Sequence, residues 1–174
     1  NTSLRKLLCN SLIQCHFDYA CSSWYNGITK QLKNRLQTTQ NKFIRFINKY
    51  DCRTSLTVSD YSNLGLLNIE NRVKQYKLNH VHNIFYKKCP SYLHDNFTKL
   101  VDIHCHNTRG SFAKFHVPNV NSFNITSFYY NGIKEWNHLP DSIKAIENTH
   151  RFKKEVKRQL FKNMTEKENS IYVI

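Results

Sequence analysis

Helical periodicity over most of the chain and a change of pattern near its middle predict a mainly α fold. The expected architecture is a helical bundle with a short extended or β-hairpin segment near 110–126. The length, 174 residues, suits about one domain, or one plus a small appendage. Aromatic residues make up 13% of the chain, enough for a core, and four Gly with three Pro argue against long disordered linkers. The pattern divides the chain into a helical region over 1–100, a second region over 101–162 ending in a basic helix, and a frayed tail over 163–174.

In order along the chain, residues 3–19 read as a helix, because Leu4, Leu7, Leu8, Leu12 and Ile13 recur at helical spacing. "CSSWYNGITK" breaks it, with Gly27 as the turn residue. Residues 29–49 form the clearest helix. Thr29 caps its start. Leu32, Leu36, Phe43 and Ile47 share one face, with Thr39 and Gln40 filling the gap. Arg35, Lys42, Arg45 and Lys49 share another. Residues 51–67 read as a connector with a short helix near Val58–Leu64, capped by Thr57 or Ser59. A second long helix spans 69–88, with Ile69, Val73, Val81, Ile84 and Phe85 apolar, and Cys89-Pro90 stops it. A short helical turn follows at Tyr92–Phe97. "SFAKFHVPNV" and "SFNITSF" alternate apolar and polar residues, as edge strands or extended loops do. "SFYYNGIKEWNHLP" returns to helical periodicity and ends at Pro140. Thr149 opens the last helix, with Phe152, Val156 and Leu160 inward and Arg151, Lys154, Lys157 and Arg158 outward.

The charge is the first functional signal. Twenty-six Lys and Arg against 12 Asp and Glu leave a net +14, more than solubility requires, and such surfaces meet nucleic acid or anionic membranes. No window is apolar for the ~18 residues a membrane-crossing helix needs, and the N-terminal stretch carries polar breaks that a secretion signal lacks. An intracellular protein, nuclear or cytoplasmic, is expected. The chain lacks a starting Met, so a piece of a longer product, or an incomplete gene model, is expected. The six cysteines are scattered, so reduced, partly buried thiols are expected rather than disulfides.

"DIHCHNTRGSF" (102–112) places His104, Cys105 and His106 side by side, but zinc needs four ligands, usually as two spaced pairs. Only His104 and His106 share a face in an extended chain, and Cys89, His94 and His116 form no recognised pair with them. A zinc-dependent binding module remains the weaker alternative. Clustered carboxylates for two-metal phosphoryl transfer are absent, as are a P-loop, GxGxxG, GxSxG and HExxH. The sequence shows no catalytic centre. Between Ile28 and Lys49 lie six basic residues and no acidic one. A face of that kind tracks a phosphate backbone while the opposite face packs.

Six segments in order carry a resemblance. "LLCNSLIQCHFDYACSSW" (7–24), "LKNRLQTTQNKFIRFI" (32–47), "LGLLNIENRVKQYKLNHVHNI" (64–84), "HNTRGSF" (106–112), "SFYYNGIKEWNHLPDSIK" (127–144) and "THRFKKEVKRQL" (149–160) resemble the stretch that follows the palm in LINE-type, non-LTR reverse transcriptases of the jockey kind. The likeness runs from about Leu7 to Leu160. Gln40, Asn41, Lys42 and Arg45 match the family's QNKxxR positions; His106, Thr108 and Arg109 match HxTR; Trp136, Asn137, Leu139 and Pro140 match WNxLP. Cys15 stands where the family commonly has Pro.

The resemblance implies a thumb-like, post-palm part of an RNA-directed DNA polymerase. The palm aspartates that hold Mg in the parent enzyme are absent, so this chain alone is expected to be no enzyme and to need no cofactor. The expected partners are RNA, an RNA–DNA or DNA duplex, and the parent's palm, with no membrane. The expected phosphate contacts are Arg35, Lys42, Arg45, Lys49, Arg109, Lys154, Lys157 and Arg158. The alternative is a scaffold that only packs on the palm, or a decayed element without activity.

Overall fold

A computed structural model describes residues 1–103, 113–119, 121 and 124–171, with the side chains of 169–171 left aside. The chain is mainly helical, as expected. The elements are α1 (Thr2–Cys9), a π-helical stretch (Asn10–Gln14), α2 (Cys15–Asp18), α3 (Cys21–Trp24), α4 (Lys30–Asn48), α5 (Val58–Asn63), α6 (Ile69–Phe85), α7 (Ser91–His94), α8 (Leu100–Ile103), α9 (Phe128–His138), α10 (Asp141–Lys144) and α11 (Thr149–Ile171). Among the described residues the extended expectation reduces to one antiparallel bridge, between Lys99 and Phe115. A 3-10 turn occupies Asn124–Thr126, inside the segment where the alternating pattern had pointed to extended chain.

Local chemistry explains the boundaries. Thr29 Oγ1 accepts the Leu32 N–H and starts α4. Thr57, not Ser59, begins α5: the Asp60 carboxylate accepts the Thr57 N–H at 2.8 Å. Gly65 ends α5 at φ 63°, where an L side chain is strained, and lets Leu66 N–H reach back to the Tyr61 carbonyl. α6 stops at Phe85, earlier than Cys89-Pro90 requires. Lys87 turns left-handed at φ 52°, and Lys88 N–H closes on the Asn83 carbonyl. Ser127 Oγ accepts the Tyr130 N–H and starts α9.

The chain divides into two compact units at positions other than residue 100. The first holds Asn1–Val73 and Arg158–Ile174; the second holds Lys74–Lys157. The boundary falls inside α6 and inside α11. Of the tail expected over 163–174, the described part is helical. α11 runs on to Ile171, Met164 is buried in the first unit, and the Glu168 carboxylate accepts the Val58 N–H at the start of α5. A carboxylate is favoured there by the exposed donors of a helix N-terminus.

The first unit is built around α4. Phe43, Ile44 and Ile47 are buried with Tyr61, Leu64, Leu66, Leu67 and Ile69. Leu32 and Leu36, expected inward, are exposed and half-buried respectively, so the inward face is rotated toward Gln40 and Ile44. α1 packs on α4 and buries Cys9, while Leu4, Leu7 and Leu8, with Leu12 of the π-helical stretch, stay largely in solvent. Asp18 and Arg72 pair through two contacts, 2.5 and 2.6 Å, tying the end of α2 to α6.

The second unit is aromatic. Phe97, Phe115, Phe85, Trp136 and Phe152 form a chain of ring contacts with centroids 5.1 to 5.9 Å apart in successive pairs. Gly132 faces this core: a Cβ there would meet Val81 Cγ2 at 3.0 Å and the Phe128 ring at 3.4 Å, so α9 approaches α6 only as closely as glycine permits.

Candidate nucleic-acid interface

α4 positions the basic residues singled out by the sequence. Arg35, Lys42 and Lys49 recur at intervals of seven, roughly two turns or ~10 Å of rise each, and all three are exposed. Lys49 closes the helix in a left-handed conformation, φ 59°. Arg45 departs from the expected role. It is half-buried, and its Nε donates to the Thr54 carbonyl at 2.8 Å, tying the 51–57 connector to α4. Over residues 1–50 the sole acid is Asp18, already engaged by Arg72, so nothing on that segment neutralises the α4 cations.

The neighbouring family-motif residues do different work. Gln40 is fully buried, and its Nε2 donates to the Leu67 carbonyl at 2.8 Å. Gln37 Nε2 is shared among Gln40 Oε1, Asn41 Oδ1 and the Tyr61 hydroxyl, at 2.9 to 3.0 Å, while its Oε1 accepts the Ile69 N–H. The Tyr61 hydroxyl in turn donates to Asn41 Oδ1. Burial pushes the Tyr61 phenol up to about 12, so it stays protonated and keeps donating. This amide network fixes α4 against the segment that enters α6. Within "QNK", only Lys42 faces solvent freely.

Of the remaining basic positions, Lys154 is exposed and Lys157 half-buried in the second unit, while Arg158 is exposed in the first. His106, Thr108 and Arg109 lie outside the described residues, as do His104 and Cys105. Among the described residues no three His, Cys, Asp or Glu side chains converge as metal ligands. The five described cysteines are unpaired; Cys9 and Cys21 are buried, and burial raises both thiols above their ordinary range.

The WNHLP residues are packing residues. Trp136 has no exposed surface, and its indole N–H donates to the Ala113 carbonyl at 2.9 Å. Asn137 clasps Phe115 from both sides, Oδ1 accepting its N–H at 3.0 Å and Nδ2 donating to its carbonyl at 2.7 Å. Leu139 is extended and half-buried, and Pro140 opens α10. The motif therefore anchors an irregular segment by offering it the hydrogen bonds a neighbouring strand would supply. Beneath it, Lys144 is buried and satisfied, with Nζ 2.9 Å from Asp141 Oδ1 and 3.3 Å from the Asn137 carbonyl.

Sequence reasoning did not identify two concave surfaces of the first unit. One, about 540 Å³, lies between α1 and α4 and is lined by Leu8, Leu12, Ile13, Phe43, Phe46 and Lys42, among others. The other, about 400 Å³, is lined by Trp24, Ile28, Leu32, Leu36, Arg35 and Thr39. The sequence signal for them was the leucines of α1 for the first and Leu32 and Leu36 of α4 for the second. Among the described residues no helix is long and apolar enough to cross a membrane. Comparison of the chain with protein-family models, with curated proteins and with solved structures finds no match.

Proposed function

We propose that this chain is a non-catalytic nucleic-acid-binding part of a retrotransposon RNA-directed DNA polymerase, the thumb-like region that follows the palm. The observation that carries the binding function is the exposed Arg35, Lys42 and Lys49 series on α4, set on a segment whose one carboxylate is already paired. Cations spaced along one rigid helix neutralise successive phosphates without reading bases. The polymerase assignment rests on the order of the six sequence segments. The ligand is an RNA–DNA hybrid or RNA, bound with little sequence preference.

The test is fluorescence anisotropy with a labelled RNA–DNA primer–template at several salt concentrations. Three phosphate contacts give a log–log slope of roughly −2.7, or about a fortyfold loss of affinity over a fourfold rise in salt. Arg35→Glu with Lys42→Glu should flatten that slope and leave the circular dichroism spectrum unchanged. No binding, or binding that ignores salt, overturns the reading.

A second reading is a scaffold that packs on the palm of the parent polypeptide. The exposed apolar face that runs from α1 into the π-helical stretch favours it, since Leu4, Leu7, Leu8 and Leu12 form one stripe in solvent. It predicts strong binding of a hydrophobic dye to the isolated chain, abolished by polar substitutions in that stripe.

A further inference from the structure

A leucine stripe runs from α1 into the π-helical stretch, and its Leu8 and Leu12 line one wall of the α1–α4 groove. Leu4, Leu7, Leu8 and Leu12 are 56, 64, 43 and 65% exposed, and Phe46, on the opposite wall, is 54% exposed. Their spacing of three, four and eight residues matches the seam an α-helix offers to another helix. The groove is concave and its lining almost wholly apolar, with Lys42 the one charged group in it. Arg5 stands at the rim: its Nη1 donates to the Phe46 carbonyl at 2.9 Å, and its guanidinium lies 5.8 Å from the Phe46 ring centroid. The sole acid of residues 1–50, Asp18, is held by Arg72.

We infer that the α1–α4 groove docks an amphipathic helix whose apolar stripe is flanked by carboxylates. The apolar side chains of such a helix would fill the space between Leu8, Leu12, Phe43 and Phe46, while its acids meet Lys42 and Arg5. Charge complementarity selects this occupant over the others. A second copy of the chain, packing by the same face, would set Arg5 and Lys42 of one copy against the same cations of its mate. A lipid bilayer is flat on this scale and leaves a concave groove unfilled, whereas a helix ridge enters it. The inference deepens the scaffold reading, on which it rests for the face being available, by stating the chemistry of what covers it.

The experiment uses the full chain and two labelled synthetic helices of about four turns with one shared leucine stripe, flanked by Glu in one and by Lys in the other. The Glu helix should bind about tenfold tighter or better. Leu8→Gln and Leu12→Ser, both at exposed positions, should each weaken it at least about fivefold with an unchanged circular dichroism spectrum. Equal affinity for the two helices, or affinity indifferent to both substitutions, overturns the inference. So does retention on phosphatidylserine vesicles that depends on the same leucines and that the Glu helix does not compete. A concentration-dependent dimer dissolved by Leu12→Ser overturns it too. If neither helix binds while a hydrophobic dye still binds through α1, this inference fails and the scaffold reading stands; if the dye does not bind either, both fail.

Discussion

The two units of this chain reach stability by opposite means. The second is closed by rings: Trp136, Phe152 and Ile133 have no exposed surface, and His82 stacks on Phe152 with centroids 4.1 Å apart. The first is tied by side-chain hydrogen bonds, through Gln37, Gln40, Asn41 and Tyr61, and leaves a leucine stripe and an apolar groove uncovered. A core that finishes its own packing needs nothing further. A core fixed by directional bonds keeps its shape while presenting unfilled apolar surface, which is what a docking or ligand-bearing surface requires.

The sharpest way to break that contrast is Trp136→Ala. It removes the largest fully buried side chain of the second unit together with the indole donor to Ala113. A loss of about 3–5 kcal/mol is expected by urea unfolding, with early exposure of the 113–119 segment to hydrogen exchange. Gln40→Leu is next. The replacement is apolar and close in size, yet it strands the Leu67 carbonyl and one partner of Gln37. About 1–3 kcal/mol should be lost, by a mechanism that Gln40→Asn would share because its amide is too short to reach. If Gln40→Leu is neutral, the first unit is not held by its amides and the contrast fails.

The smallest effect is on acid stability near neutral pH and comes from buried histidines of the second unit. Burial holds the His82 imidazole below its ordinary range, and its Nε2 lies 2.8 Å from the Ile146 carbonyl. A base whose folded pKa is depressed binds more protons when unfolded. Its contribution is therefore complete above the unfolded value, about 6.5, and is lost as the pH falls through and below it. The urea midpoint of the wild type should decline between about pH 7 and pH 5; His82→Gln should remove part of that decline, the rest following His80, whose imidazole burial also holds below its ordinary range. A midpoint that declines equally in the variant would show that His82 is not a titrating group.

Much of the helical order was legible in the residues. Thr29 at the head of α4, the Thr57 start of α5, and Phe152, Val156 and Leu160 inside α11 follow from spacing and capping chemistry. The basic series on α4 was legible for the same reason: helical geometry alone puts residues seven apart on one face. What spacing could not separate was use. Arg45 and Lys42 read alike, but Arg45 is spent on Thr54 and Lys42 is exposed. Glu168 looked like frayed tail because its partner, the Val58 N–H, lies 110 residues earlier in the sequence.

The sequence by itself determined the helical class, the excess of cations and the scarcity of acids in the first fifty residues, because these depend only on local periodicity and composition. The tertiary structure alone decided which leucines find partners. α1 carries a full apolar stripe, but α4 answers it with Phe43 and Phe46 and then with Lys42, so one wall of the stripe stays open. Burial belongs to a pair of surfaces, and a periodicity within one helix states only that it has a face to bury.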